Sequence, residues 1–398
     1  MFVYADNAAT TQMSATALNA MLPWLRDSYG NPSSLYQIAR EAKRALEKAR
    51  KEIADVLGAQ PEEIYFTSGG TESDNMAIVG ALQASRRGDH IVTSAIEHHA
   101  VKHTVEHLTK NKTPPTVLPV DSAGRIDINA LERALREDTA LVSVMAANNE
   151  IGTVQPVAEI GALCRERGAW FHTDAVQMAG HLPINVSDMK ADMLSLSAHK
   201  FHGPKGVGAL YIRRGIPLPP LFQGGGHERG RRSGTENVAG VVGMATALME
   251  AAAHMETNRR YTEGLRNKLI TGLRRIPYSF LTGDPVCRLP GNASFVFACV
   301  EGESMVLGLD FAGICVSSGS ACSSASLDPS HVLLAIGLPH EVAHGSLRLS
   351  LSHLNTEEEI EYLIAQVTAV VARTRSMSPL WNSEKNCPVE GGWLGESV

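Results

Sequence analysis

Ala191-Asp-Met-Leu-Ser-Leu-Ser-Ala-His-Lys200, continued by Phe201-His-Gly-Pro-Lys-Gly206, sets the frame for the rest of the chain. The apolar run from Met193 to Leu196 reads as a buried strand. It ends abruptly in Ser197, His199 and Lys200, and a loop with Gly203, Pro204 and Gly206 follows. Polar groups placed where a strand stops suit function carried on a rigid scaffold. Lys200 at such a spot is either a surface cation or an imine-forming amine, and its surroundings must decide between them.

Outward from this stretch one unit repeats. Ile64–Phe66, His90–Thr93, Thr116–Val120, Ala140–Met145, Trp170–Thr173, Met193–Ser197 and Val207–Ile212 read as strands. Helical patterns stand between them, from about Thr71, after Glu97, over Asn129–Arg136 and over Val157–Arg167. Ahead of the first strand, Ile38, Ala42, Leu46, Ala49, Ile53 and Val56 recur every three or four residues, so a helix is expected over Gln37–Leu57 with Gly58 as its stop. This alternation predicts an α/β fold with a mostly parallel, seven-stranded sheet covered on both faces. Ligands of such sheets bind beyond the carboxyl ends of the strands.

A helical stretch at about 235–275 leads away from that region. After Pro290 the texture changes: Ala293–Val300, Ile314–Ser317 and Ser346–Leu351 read as strands, and 303–310, 329–336 and 356–374 as helices. We therefore expect a large domain over residues 14–256 and a smaller α+β domain from residues 1–13 and 257–398. The tail after Pro379 has no period and is expected to be flexible.

The 398 residues are 44% hydrophobic and 20% charged, with a formal net charge of -6. That is ordinary globular composition, and no Lys/Arg block marks a nucleic-acid footprint. No apolar run in the sequence comes near the roughly 20 residues that span a bilayer. The 15 His form no compact metal-ligand spacing. The six Cys hold no C-x-x-C, and the first ten residues lack a basic region followed by an apolar core. A cytoplasmic chain with reduced thiols is the expectation.

Seven further stretches can carry chemistry. Thr67-Ser-Gly-Gly-Thr-Glu-Ser-Asp-Asn75 follows a strand and opens a helix; it suits an anion at the helix N-terminus through Gly70 and Thr71, or a plain capped turn. His98, in Glu97-His-His99, can stack on a flat ligand or exchange protons, or simply start a surface helix. Asn148-Asn-Glu150 sits at a strand end and suits ligand orientation or a turn. Asp174, with Gln177 three residues on, needs a cationic or proton-donating partner if buried, unless it makes an Asx turn. Gly224–Asn237, with three Arg and Thr235, suits anion or subunit contacts, or a solvated loop. Cys322 lies in the Ser- and Gly-rich run Ser317-Ser-Gly-Ser-Ala-Cys322, where nothing builds a core and an exposed thiol is a liability unless used. Finally, alternation sets Arg348 opposite Leu347 and Leu349, where it can clamp a carboxylate or lie on an edge.

Together these pieces resemble a pyridoxal-phosphate cysteine desulfurase of the class V aminotransferase family. The matching motifs are Asp6-Asn-Ala-Ala-Thr10, Gly30-Asn-Pro-Ser-Ser34, Thr67–Asp74, Asn148–Glu150, His172–Gln177, Ser197–Lys200, Arg232–Asn237 and Ser317–Cys322. Gly230–Asn237, Thr282–Pro285 and Ser378–Trp381 look most like the nitrogenase-associated NifS branch; the housekeeping desulfurases and the selenocysteine lyases share the scaffold. There are small departures. Gly70 stands where the family often has Ala, and His99 where Pro or Lys is common.

The resemblance implies the fold type I of pyridoxal-phosphate transferases, and it implies residue roles. Lys200 holds the cofactor through an imine. Gly70, Thr71, Ser197 and His199 hold its phosphate, and Thr235 reaches the phosphate of a partner subunit in a homodimer. His98 stacks on the ring and moves protons, Asp174 pairs with the ring nitrogen, and Gln177 bonds the phenolic oxygen. Asn149 contacts cofactor or substrate, and Arg348 binds the carboxylate of L-cysteine. Cys322 is the nucleophile that becomes a persulfide as alanine leaves. It passes sulfur to an iron–sulfur scaffold protein, with a role as a shared cluster ligand also implied.

Overall fold

The computed structural model describes residues 1–110, 112–319 and 329–389. Met193–Ser197 lies near the middle of a seven-stranded sheet. The order across it is Ile64–Thr67, Gly208–Ile212, Met193–Ser197, Trp170–Asp174, Thr139–Ser143, His90–Ser94 and Thr116–Leu118. Gly208–Ile212 runs antiparallel to both neighbours, and the other pairs are parallel. The expected mostly parallel sheet is therefore present. All five positions of Met193–Ser197 are buried, as helices cover both faces, which is why the strands read as apolar runs rather than alternations.

Gln37–Leu57 is helical over the expected span. Its face Ala42, Leu46, Ala49 and Ile53 is buried, and it stops at Gly58, whose left-handed φ of 68° lets its N–H reach back to the Ala54 carbonyl. Besides the single turn His340–Ala343, the helix Ala15–Arg26, capped by the Ser14 side chain, escaped the sequence reading. Pro23 inside it reads as a breaker, and its Leu18, Leu22 and Leu25 are exposed instead of marking a core face.

The helix Val238–Leu273 serves two cores. Val241, Met244, Ala245 and Leu248 pack into the cluster around the large sheet. Leu265, Leu269, Ile270 and Leu273 pack into a second cluster. By length and composition this helix could cross a membrane, an 18-residue window of it reaching a mean hydropathy of 1.4. That corrects the expectation that no stretch has such reach; its burial in two cores explains the apolar sequence.

The second core is built on the antiparallel strands Ser279–Leu281, Asn292–Phe297 and Ser346–Ser350. The helix Glu357–Met377 covers it, opened by a reciprocal Thr356/Glu359 capping box. Val3–Tyr4 pairs with Ile314–Cys315, so the N-terminus completes this layer.

The start of the tail is ordered, contrary to expectation. Trp381–Asn382 pairs with Cys387–Pro388. Trp381 is buried edge-on against Tyr278, with the Arg375 guanidinium 4.2 Å from its ring centroid. One aromatic anchor holds the hairpin, and a search for periodicity cannot see it.

Candidate active site

Lys200 follows its strand by a single 3₁₀ turn, Ala198–Lys200. The turn lifts the side chain off the sheet's carboxyl edge. Its Nζ donates to the carbonyls of Ala8 and Ala9, both at 2.7 Å. The Ala8 carbonyl also accepts from Gln177 Nε2 at 3.0 Å. Thr10 Oγ1 lies 3.1 Å from His199 Nδ1. The short N-terminal stretch thus threads between three predicted site residues, a role the sequence reading did not give it. Its contacts lie almost 200 positions away in sequence, so local pattern carries no trace of them.

Beside Lys200 the helix Gly70–Ala84 begins. Gly69, Gly70, Thr71, Ser197, His199 and Lys205 line an open hollow of about 410 Å³ at its N-terminus. Free backbone N–H groups and the helix dipole make this an anion site. A Cβ at Gly70 would meet Val176 Cγ2 at 2.8 Å, so an Ala there would require the Val176 side chain to shift. Burial, with Lys200 and Lys205 nearby, pushes His199 down to about 4, so it is neutral at pH 7. Lys205 is a cation on the hollow that the sequence reading passed over.

On the floor, Asp174 ends its strand and its Oδ1 accepts the Val176 N–H at 2.9 Å. Asp74, Asp174 and His98 bring one polar atom each within 4.8 Å of one another. Burial drives the Asp174 carboxyl above its usual range, while His98 and Lys200 pull it back. Asp74 is pushed up by burial and by Asp174; its Oδ1 makes no well-formed hydrogen bond and has His172 Nε2 at 3.5 Å. Burial also lowers His98, which caps its own helix by accepting the Ala100 N–H at 3.1 Å. Two buried acids with a poorly bonded oxygen call for a cation or a proton donor.

A flat ring with a protonated nitrogen and a phosphate tail meets these demands. Its nitrogen would face Asp174, its phosphate the Gly70–Thr71 hollow, and its reactive carbon Lys200. A metal ion would also neutralise the three polar groups, but it would leave the amine and the anion hollow without a use. The residues fit pyridoxal phosphate.

Arg348 is buried at the rim. Its Nη2 donates to Asp6 Oδ1 at 2.9 Å and its Nη1 to the Asn149 carbonyl at 3.2 Å. Asn149 therefore joins the site by its backbone. Cys322 lies outside the described residues. Its flanks are tied in: the Ser317 hydroxyl donates to Asp6 Oδ2, and the Ser330 hydroxyl to Glu150 Oε2. Thr235 is exposed and is not among the residues lining the hollow. Its loop is fastened by Arg232 to Glu72 at 2.8 Å, and by the buried pair Arg50–Glu228.

The profile of the aminotransferase class-V family matches residues 3–363. The chain belongs to the class-V aminotransferases. It is accordingly a pyridoxal-phosphate enzyme. Among class-V relatives, "Cysteine desulfurase IscS" of Methanosarcina thermophila is 52% identical over 383 residues, 96% of this chain and 95% of that one. A solved "NifS-like protein" superposes with a TM-score of 0.88 at 40% identity, covering 94% of this chain and all of the other. The structure described as "SspA in complex with cysteine" gives a TM-score of 0.78 at 38% identity, covering 89% of this chain and all of the other.

Proposed function

We propose that this chain is a cysteine desulfurase that takes sulfur from L-cysteine onto Cys322 and releases L-alanine. The observation that carries the reading is that Lys200 and Gln177 meet on the Ala8 carbonyl, His98 and Asp174 lie within 4.8 Å of one another, and Arg348 reaches the same N-terminal strip through Asp6. The relatives named cysteine desulfurase and the solved cysteine complex support it.

Pyridoxal phosphate, when bound, draws electrons from the substrate Cα. Asp174 keeps a proton on the ring nitrogen, and Gln177 orients the phenolic oxygen. Thr71, Ser197 and neutral His199 hold the phosphate in the hollow. Arg348 grips the substrate carboxylate and so fixes which Cα bond faces Lys200, which takes the Cα proton. His98 covers the ring and exchanges protons beside it. The Cys322 thiolate then attacks the substrate sulfur. An S–S bond forms as the C–S bond breaks, the electron pair leaves with the three-carbon fragment, and protonation gives alanine.

The sulfur acceptor we propose is an iron–sulfur scaffold protein, with the enzyme acting as a cytoplasmic homodimer in which Thr235 reaches the partner's phosphate. The exposure of Thr235 and of the apolar side chains Leu22, Leu25, Tyr29 and Leu35 supports the dimer. The IscS names of the relatives favour general cluster supply over a nitrogenase-specific role. The likeness of Gly230–Asn237 to the NifS branch keeps the nitrogenase role as the second reading.

The test is an absorption spectrum of the purified protein with and without L-cysteine, followed by alanine and persulfide assays. Equal amounts of alanine and bound sulfane sulfur are expected. A colourless protein, or alanine formation that requires a keto acid, would reject the reading. Selenocysteine turned over far faster than cysteine would move it to a lyase.

A further inference from the structure

The guanidinium of Arg348 already holds a carboxylate. Asp6 Oδ1 accepts from Nη2 at 2.9 Å, and Asp6 is its ion-pair partner among the described residues. Arg348 is only 4% exposed, and its Nε has no hydrogen-bond partner. Asp6 is fixed on its other side, where Oδ2 accepts the Ser317 hydroxyl at 2.8 Å. Two and three residues on, the Ala8 and Ala9 carbonyls hold Lys200 Nζ. The same strip of chain therefore engages both the amine and the guanidinium.

We propose that Asp6 stands in for the substrate carboxylate, and that an amino-acid substrate binds by exchanging its own carboxylate for Asp6 at Arg348. The proposal rests on the carboxylate-binding role given to Arg348 above. A buried guanidinium left unpaired is costly, so the ligand-free chain keeps it neutralised from within. An incoming carboxylate gains only the difference between itself and Asp6. Arg348 and Asp6 together carry no net charge, so a second carboxylate has to displace Asp6 rather than simply join it. A thiol amine without a carboxylate has nothing to offer in place of Asp6. The pair thus acts as a selectivity device that admits L-cysteine over simple thiol amines.

The exchange predicts an effect opposite in sign to that of a residue that merely orients Arg348. The holoenzyme is titrated with L-alanine, the unreactive product, by the change in its visible absorption and by the shift in thermal midpoint. Without ligand, Asp6→Asn and Asp6→Ala melt below the wild type. L-Alanine then binds them about tenfold more tightly, on the scale of one charge-assisted hydrogen bond, and raises their midpoints by more. Cysteamine, which lacks the carboxylate, shows no such gain. Equal or weaker L-alanine binding in Asp6→Asn overturns the proposal, making Asp6 an orienting group. Arg348→Gln separates this from the underlying role: if it binds L-alanine as well as wild type does, Arg348 is not the carboxylate site, and the exchange falls with it.

Discussion

The hydroxyl of Ser330 donates to Glu150 Oε2 across 180 residues of chain. Ser330 also caps the helix His331–Ala335 by accepting the Val332 N–H at 3.1 Å. Glu150 adjoins Asn149, whose carbonyl receives Arg348. The chain that leaves the Cys322 segment is thus fastened to the same strand-end loop that supports the carboxylate site. Asp6 makes the matching tie to Ser317 on the other side. The flanks of the Cys322 segment and the proposed carboxylate site share one set of anchors.

Burial pushes Glu150 up to about 7, with Ser330 and Arg348 pulling it down. The folded chain therefore favours the neutral acid. Its stabilising contribution is complete below the ordinary value of 4.5 and is lost as pH rises through about 7. Glu150→Gln cannot ionise and still accepts the Ser330 hydroxyl. Urea unfolding of this variant should gain on the wild type between pH 5 and pH 8, by up to about 3 kcal/mol. A difference independent of pH would show that Glu150 is not the group responsible.

Asp174 should trade stability for function. Burial raises its carboxyl, so ionising it costs folding free energy as pH climbs above the unfolded value of 3.8. Asp174→Asn keeps the acceptor for the Val176 N–H and removes the charge. The cofactor-free variant should melt above wild type at pH 7, while turnover falls at least a hundredfold for want of a proton held on the ring nitrogen. A variant that is both less stable and fully active would contradict the assigned role.

The large sheet was legible because doubly covered parallel strands are apolar runs, and some end in a polar burst such as Asp174 or Ser197–Lys200. The candidate site residues at strand ends were readable for the same reason. Residues acting through the N-terminal strip were not. Asp6, Ala8 and Thr10 gain their roles from partners such as Arg348 and Lys200, on distant strands and turns. Asp74 was hidden differently: it lies mid-motif in a helix, and only burial against Asp174 exposes its unmet demand. The helix Ala15–Arg26 was obscured by Pro23 and by leucines that face outward.

The loop bearing Thr235 hangs on a buried ion pair. Arg50 donates through Nη1 and Nη2 to the two carboxylate oxygens of Glu228 at 2.9 and 2.8 Å, and the Phe66 N–H adds a third bond at 2.9 Å. Removing one partner strands the other charge in the interior. Glu228→Ala should cost about 3–5 kcal/mol in urea unfolding. It should also weaken dimerisation in sedimentation runs if the loop reaches a partner. A loss below about 1 kcal/mol would mean the pair is dispensable.

The two halves of the chemistry should separate by mutation. In the proposed mechanism Lys200 holds the cofactor and moves the Cα proton, whereas Cys322 acts only on sulfur. Lys200→Ala should lose the visible absorption of the bound cofactor and all turnover. Its fold should persist, since the 3₁₀ turn is held by backbone bonds such as Phe201 N–H to the Ala198 carbonyl. Cys322→Ala should keep that absorption and still change it on adding L-cysteine, because Arg348, Asp174 and His98 are untouched. It should form no protein persulfide, as shown by gel-shift alkylation, and release no alanine beyond the background. Undiminished sulfur transfer in Cys322→Ala would assign the thiol elsewhere. Cys315, beside the Asp6–Ser317 tie, is the nearest described candidate in sequence, yet burial pushes its thiol up and makes it a poor nucleophile.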